Sequence, residues 1–187
     1  MKMEIIDIVD DRGCPTGETV GRDYAHKKGI RHRTAHVWIY ERKNSSTRVL
    51  LQKRSQEKES FPGMYDTSSA GHIPSGDEPL NSAIRELKEE LGISAKPEDL
   101  RFIGMLKTRY QRVFHDVLFS DNEVTFIYAL EKKIDEKRLM LQKEEVDGVC
   151  WFDLDEVLSE CICGSERFCV NPSSLETLKK YLDNNKS

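Results

Sequence analysis

The chain has 187 residues, 37% of them hydrophobic and 33% charged, and carries a net charge of −4. That length suits one domain with its own core, and the charge gives no broad basic surface for a nucleic-acid polymer. No apolar run approaches the roughly 20 residues of a membrane helix, and the opening "MKMEIIDIVD" lacks a signal-peptide core, so a cytoplasmic protein is expected.

"MEIIDIVD" alternates weakly and runs into the turn-rich "DRGCPTG". "ETVGR" can return as a second strand, giving an N-terminal β-hairpin extension. "RDYAHKKGI" predicts a short helix ended by Gly29. "RTAHVWIYER" and "RVLLQKRS" predict strands joined by the polar turn "KNSST". "SQEKESFPGMY" reads as a loop and "DTSSAGHI" as a short strand.

Residues 79–91 predict a helix. Pro79 suits its first turn and Gly92 its C-terminal cap. Leu80, Ile84, Leu87 and Leu91 form one apolar stripe. "RFIGMLKTRYQRVF" and "EVTFIYALEKK" predict strands, followed by a charged, flexible connection at 131–138. "VDGVCWF" predicts another strand, "DLDEVLSECI" a helix capped by Asp153, and "PSSLETLKKYLDNN" a C-terminal helix from Pro172. Strands interleaved with helices predict an α/β or α+β sandwich. It is read as one domain with a core at about 30–160.

The five cysteines form no C-x-x-C pair. Cys161, Cys163 and Cys169 are loosely clustered, but without a paired ligand knuckle they read as incidental reduced thiols.

The 79–91 helix sets Glu86, Glu89 and Glu90 within little more than a turn, with Arg85 four residues before Glu89. Like charges at this spacing repel. Two readings stand: a solvated acidic face, or a site for a hard divalent cation that takes carboxylate oxygens and substrate phosphates.

The run from Gly71 through five residues to Asp77, seven more, then Arg85-Glu86-Leu87-Lys88-Glu89-Glu90-Leu91-Gly92-Ile93 resembles the Nudix box, G-x5-E-x7-R-E-U-x-E-E-x-G-U. Every specified position matches except Asp77, which stands where the pattern has Glu. The resemblance implies a Nudix fold, a mixed β-sheet between helices, and hydrolysis of a diphosphate linked to another group. It also implies Mg²⁺ or Mn²⁺ carried by Glu86, Glu89 and Glu90, with Arg85 orienting them and Gly71 and Gly92 allowing tight turns at the box ends. Glu89 or Glu90 is the first candidate for general base, and Glu144 and Glu145 are the second.

The flanks "HRTAHVWIYERK" and "LLQKRSQEKESFPGMYDTSSAGHIPSGD" resemble the Nudix branch that includes isopentenyl-diphosphate isomerase and hydrolases of the same plan. The isomerases have Cys before Gly-His where this chain has Ala70, which cannot move a proton at an allylic carbon. A hydrolase is therefore preferred, with an isomerase or a silent nucleotide-binding module as alternatives. The same resemblance implies a second metal site from His26, His32, His72, Asp121 and Glu123, suited to Mn²⁺ or Zn²⁺. His26 also fits a plain surface histidine, and His36 reads as structural.

Lys53 and Arg54 are candidates to meet the phosphates, though both also fit a solvated strand end. Phe61, Met64 and Tyr65 can wall a pocket or pack beneath the sheet, and packing is preferred; Trp38 and Trp151 are expected in the core rather than as base-stacking platforms. The expected partner is a small-molecule diphosphate, with no nucleic-acid polymer and no membrane; a homodimer is left open.

Overall fold

In the computed structural model, which describes residues 4–43 and 46–185, strands and helices follow the expected order. β1 (Ile5–Val9) and β2 (Pro15–Gly21) pair antiparallel as the N-terminal hairpin. Asp10 closes its turn by accepting the Arg12 and Cys14 N–H groups at 2.8 and 2.9 Å. α1 (Arg22–Lys28) ends at Gly29, whose φ of +64° suits the left-handed cap.

Next come β3 (His32–Lys43), β4 (Ser46–Arg54), β5 (Tyr65–Asp66) and β6 (Ser69–His72). The centre of the expected "KNSST" turn, Asn44 and Ser45, lies outside the described residues. α2 (Pro79–Leu91) is followed by β7 (Arg101–Phe114), β8 (Val117–Glu131), β9 (Val146–Asp153), α3 (Leu154–Ile162) and α4 (Pro172–Asn184).

One mixed sheet runs β5-β4-β3-β8-β7, with β6 also on β3 and β9 also on β4. β3 and β8 are parallel, and the other pairings in the sheet are antiparallel. Alternation along β3 divides the molecule. Ala35, Val37 and Ile39 pack with Leu87 and Leu91 of α2, while Trp38 and Tyr40 pack with Leu154, Val157, Leu175 and Leu178 of α3 and α4. The sheet is therefore sandwiched between helices, the expected α+β arrangement. Trp38 Nε1 donates to Ser174 Oγ at 3.0 Å, tying the C-terminal helix to the central strand.

Two expectations need correction. β8 begins at Val117, six residues before the expected start, and closes on β7 through a turn at His115 and Asp116 with φ of +48° and +62°. A tight hairpin needs positive φ at both central residues, and His-Asp lacks the Asn-Gly signature that announces it. The connection at 131–138 is fastened rather than free. Ile134, Leu139 and Leu141 pack on the α2-side core. Just beyond, Met140 and Gln142 donate backbone N–H groups to the Leu91 and Glu90 carbonyls at 3.3 and 3.0 Å.

Candidate functional site: a carboxylate helix joined to a histidine cluster

Sequence dictates how α2 presents its carboxylates. Pro79 starts the helix, Gly92 ends it at φ +70°, and Leu87 and Leu91 are wholly buried. This anchoring turns Glu86 and Glu90 toward β6. Glu90 is only 5% exposed and accepts the Ala70 N–H at 3.2 Å. Burial pushes its carboxyl up to about 8. Glu86 lies directly over Gly71, where a Cβ would strike its carboxyl carbon. Gly71 thus permits close approach from within β6, rather than forming a tight turn as expected; Gly92 does supply the left-handed end.

Burial also raises the Glu86 carboxyl, against the pull of Arg85 and with a contribution from Glu89. Glu89 stays exposed at the rim. Arg85 ties the group together: its guanidinium reaches Glu86 at 2.8 Å and Glu89 at 2.9 Å, and donates to the His72 carbonyl at 3.2 Å. Asp77 does not join this group in any hydrogen bond or ion pair given by the described residues. Its side chain is exposed, and its carbonyl accepts from Arg33 at 3.1 Å.

His26, His32, His72 and Glu123 converge on the β3 face opposite α2, with one ligand atom from each lying within 4.8 Å of the others. His26 comes from α1, His32 from the start of β3, His72 from β6 and Glu123 from β8, facing His32 across the parallel ladder. His26 is buried, which corrects the surface reading. The nearest ring nitrogens of His26 and His72 are 2.9 Å apart. His32 Nδ1 donates to the Ile30 carbonyl at 2.8 Å, which leaves Nε2 facing Glu123 Oε1 at 3.6 Å. His72 Nε2 is 3.9 Å from the same oxygen. Ligands about 2.1 Å from one ion stand roughly 3–4 Å apart, so these separations suit a cation.

Among the described residues, the buried atoms His26 Nδ1, His32 Nε2 and Asp121 Oδ1 find no hydrogen-bond partner, as expected of a polar pocket built around a charge. Asp121 stands 3.6 Å behind His26 Nδ1, in position to orient the ring. The cluster's protonation follows its crowding. Burial, followed by the His32 charge, pushes His26 down to about 4. Burial likewise holds His72 well below its usual range, with Arg22 adding to the shift. Burial opposes the His32 charge, yet the facing Glu123 carboxylate and the Ile30 carbonyl raise its pKa. Burial and the neighbouring Glu123 push Asp121 up to about 8, while Glu123 is held low, against its own burial, by His32 and His72.

The other candidates divide. Arg54 spends its donors on Asp66 at 3.0 Å and on the Ser60 carbonyl at 2.8 and 3.1 Å, so it clamps a loop. Lys53 is half-buried in β4 opposite Tyr65 and Gly148. Glu145 is ion-paired with Lys58, and Glu144 is exposed. Trp38 is core as expected; Trp151 is partly buried, with Arg48 over its ring. All five cysteines are free, and none enters a metal-sized group among the described residues.

Sequence reasoning missed Thr34, whose hydroxyl donates to Glu123 Oε2 at 3.1 Å. Its spacing two residues after His32, on the same strand face, was the available signal. It also missed Tyr110, placed opposite Asp121 in the β7–β8 ladder, whose hydroxyl pKa burial raises.

Comparison with known proteins converges on one family. A family profile described as NUDIX domain matches residues 30–167. A Nudix hydrolase of Clostridium acetobutylicum is 40% identical over 91% of this chain and 82% of its own length. The crystal structure of DR0079 from Deinococcus radiodurans superposes with a TM-score of 0.69 at 16% identity, covering 94% of this chain and 98% of that one. The NUDIX domain of Shewanella oneidensis NrtR, solved with ADP ribose, gives 0.57 at 15% identity, over 82% and 88%. At these identities the two structural likenesses concern the fold.

Proposed function

The chain belongs to the Nudix family of pyrophosphohydrolases, and from that premise we propose that it cleaves a small organic or nucleoside diphosphate with a divalent cation held by the α2 carboxylates. Glu86, Glu89 and Glu90 would hold Mg²⁺ or Mn²⁺. The half-buried Glu86 and the buried Glu90, one helical turn apart, fit a hard cation, since added positive charge offsets the cost of burying neighbouring carboxylates. A cation there neutralises phosphate charge and activates water.

The chain's own groups do the rest. Arg85 fixes the carboxylate spacing. Glu90 or Glu89 takes the proton from the attacking water. His26, His32, His72 and Glu123 would hold a second ion, for which imidazole nitrogens suit Mn²⁺ or Zn²⁺, with Asp121 and Thr34 positioning them. Of the two cationic candidates for a phosphate oxygen, Lys53 enters no ion pair among the described residues, whereas Arg54 would have to leave Ser60 to serve.

One observation carries this reading: a single guanidinium joins Glu86, Glu89 and the His72 carbonyl. That guanidinium thereby couples the box carboxylates to the β6 backbone that carries His72, whose ring joins the cluster on the other face of the sheet. The cluster also supports placement in the branch that includes isopentenyl-diphosphate isomerase. Ala70, on the β3 side that carries His36, offers no ionisable group, which favours hydrolysis over double-bond migration.

The test is purified protein with Mg²⁺ or Mn²⁺ against a panel of nucleoside diphosphates, sugar nucleotides, dinucleotides and isoprenoid diphosphates, with products identified. ADP ribose belongs on the panel because of the NrtR domain. Release of phosphate products is expected. A panel without turnover would leave a binding module, and migration of an isoprenoid double bond would restore the isomerase.

A further inference from the structure

The loop between β4 and β5 touches a strand that is not its neighbour. β3 and β8 lie between β4 and β7, a span of about 14 Å at the usual strand spacing. Yet the Phe61 ring in this loop meets Phe114 of β7 edge-on, with centroids 5.0 Å apart, and Tyr110 at 6.4 Å. The Arg112 guanidinium lies 5.0 Å from the same ring centre. The two strands bridged are those that carry His32 and Glu123. Phe119, opposite Arg112 in the β7–β8 ladder, stacks on His26 with centroids 4.4 Å apart. The loop is therefore strung across the end of the sheet where the histidines converge.

Its backbone is arranged to let go. Phe61 has a φ of +51°, which an aromatic side chain rarely adopts. Gly63, two residues on, has a φ of +71°. Such strain persists only while surrounding contacts outweigh it. Here those contacts include the Phe61 ring on β7 and the Arg54 bonds to Ser60, while the loop's two ends are held by the Gly63 N–H on the Arg54 carbonyl at 3.1 Å and by the Lys58–Glu145 ion pair.

We propose that residues 55–64 form a roof over the histidine cluster, latched by Phe61 against the β7–β8 ribbon, that opens to admit the diphosphate and release its products. Latched, it presents aromatic surface above the polar pocket and keeps water from the reacting groups. Unlatched, the strained Phe61 backbone relaxes. The latch stands on geometry alone, whereas its part in turnover rests on the function proposed above.

Hydrogen exchange read by mass spectrometry on the full chain tests the latch. Phe61→Ala and Phe114→Ala should each speed exchange of amides 56–63 about three- to tenfold, the scale of one lost aromatic pair. Phe61→Tyr should match the unsubstituted chain, and α2 amides, unchanged throughout, report an intact fold. Unaltered exchange at 56–63 in either alanine variant overturns the latch.

Mn²⁺-loaded protein mixed with excess EDTA tests the roof. Metal should leave faster from both alanine variants. Faster amide exchange with equal metal release overturns the covering role. Failure to bind Mn²⁺ at all would sink the metal reading of the pocket and leave the exchange result to decide the latch.

Discussion

Arg85 reaches out of its own helix to bond the backbone oxygen of His72 at 3.2 Å. The same guanidinium holds Glu86 and Glu89, so it fixes α2 against β6 as well as spacing the carboxylates. Lysine has the charge without the planar fork. Arg85→Lys should lower kcat/KM at least about tenfold and Arg85→Ala about a hundredfold, the range for mispositioned catalytic groups. Steady-state kinetics on a substrate from the panel reads both. Full activity in the lysine variant would reduce Arg85 to a surface charge.

Glu90 and Asp77 should behave oppositely. Glu90→Gln removes a buried carboxylate beside the box strand and should cost at least about two orders of magnitude in turnover. Asp77→Asn alters an exposed side chain whose backbone makes the structural bond, so its rate should stay within about twofold. A large loss at Asp77 would give that side chain a role the fold does not reveal.

In metal-free protein, the contribution of Glu90 to stability should fall as pH rises. The folded Glu90 carboxyl titrates at about 8 and its ordinary value is 4.5. Between those values the folded chain keeps a proton that the unfolded chain has released. At this group the native state then binds more protons, so its share of the unfolding free energy falls with pH across that window, by on the order of a few kcal/mol. Denaturant titrations from pH 4.5 to 8 should show it as a difference between the unsubstituted chain and Glu90→Gln, since His26 and His72, held down by burial, act with the opposite sign at the acid end of the range in both.

Gly71→Ala tests close approach. The added methyl would collide with Glu86, costing about 1–3 kcal/mol. In a Glu86→Ala background the same change should cost much less, and a double-mutant cycle measures the coupling. Equal costs in both backgrounds would mean that the strand simply shifts.

Metal binding should stabilise the fold through the histidines. With Mn²⁺ at about a hundredfold over Kd, linkage gives roughly 2.7 kcal/mol. His32→Ala removes the imidazole whose Nε2 faces Glu123 and should abolish most of the Mn²⁺-induced rise in Tm. An undiminished rise would move the ion elsewhere.

Local chemistry made much of the fold legible. α2 announces itself at both ends, through Pro79 and Gly92, and by its apolar stripe. Asp153 caps α3 as its position suggests, accepting the Asp155 N–H at 2.9 Å. What escaped was set by tertiary context. The first six residues of β8 are strand because β7 lies alongside, and their turn uses His115 and Asp116. The 131–138 connection looks solvated from its charges, yet a few apolar residues in and just beyond it are enough to fasten it.

The candidate site shows the same division. Spacing on the helix singled out the three glutamates, and the resemblance to the isomerase branch singled out the histidines. Burial of Glu90, capture of Arg54 by Ser60 and support of Glu123 by Thr34 depend on which strands become neighbours, and spacing along the chain does not encode that.

His72 contributes to both halves of the site by different parts. Its imidazole joins the histidine cluster, while its peptide oxygen receives Arg85. Any amino acid at this position would keep that oxygen. One centre can therefore be deleted by replacing a ring while the scaffold of the other stays whole, which makes the two separable to an engineer and, in principle, to natural variation.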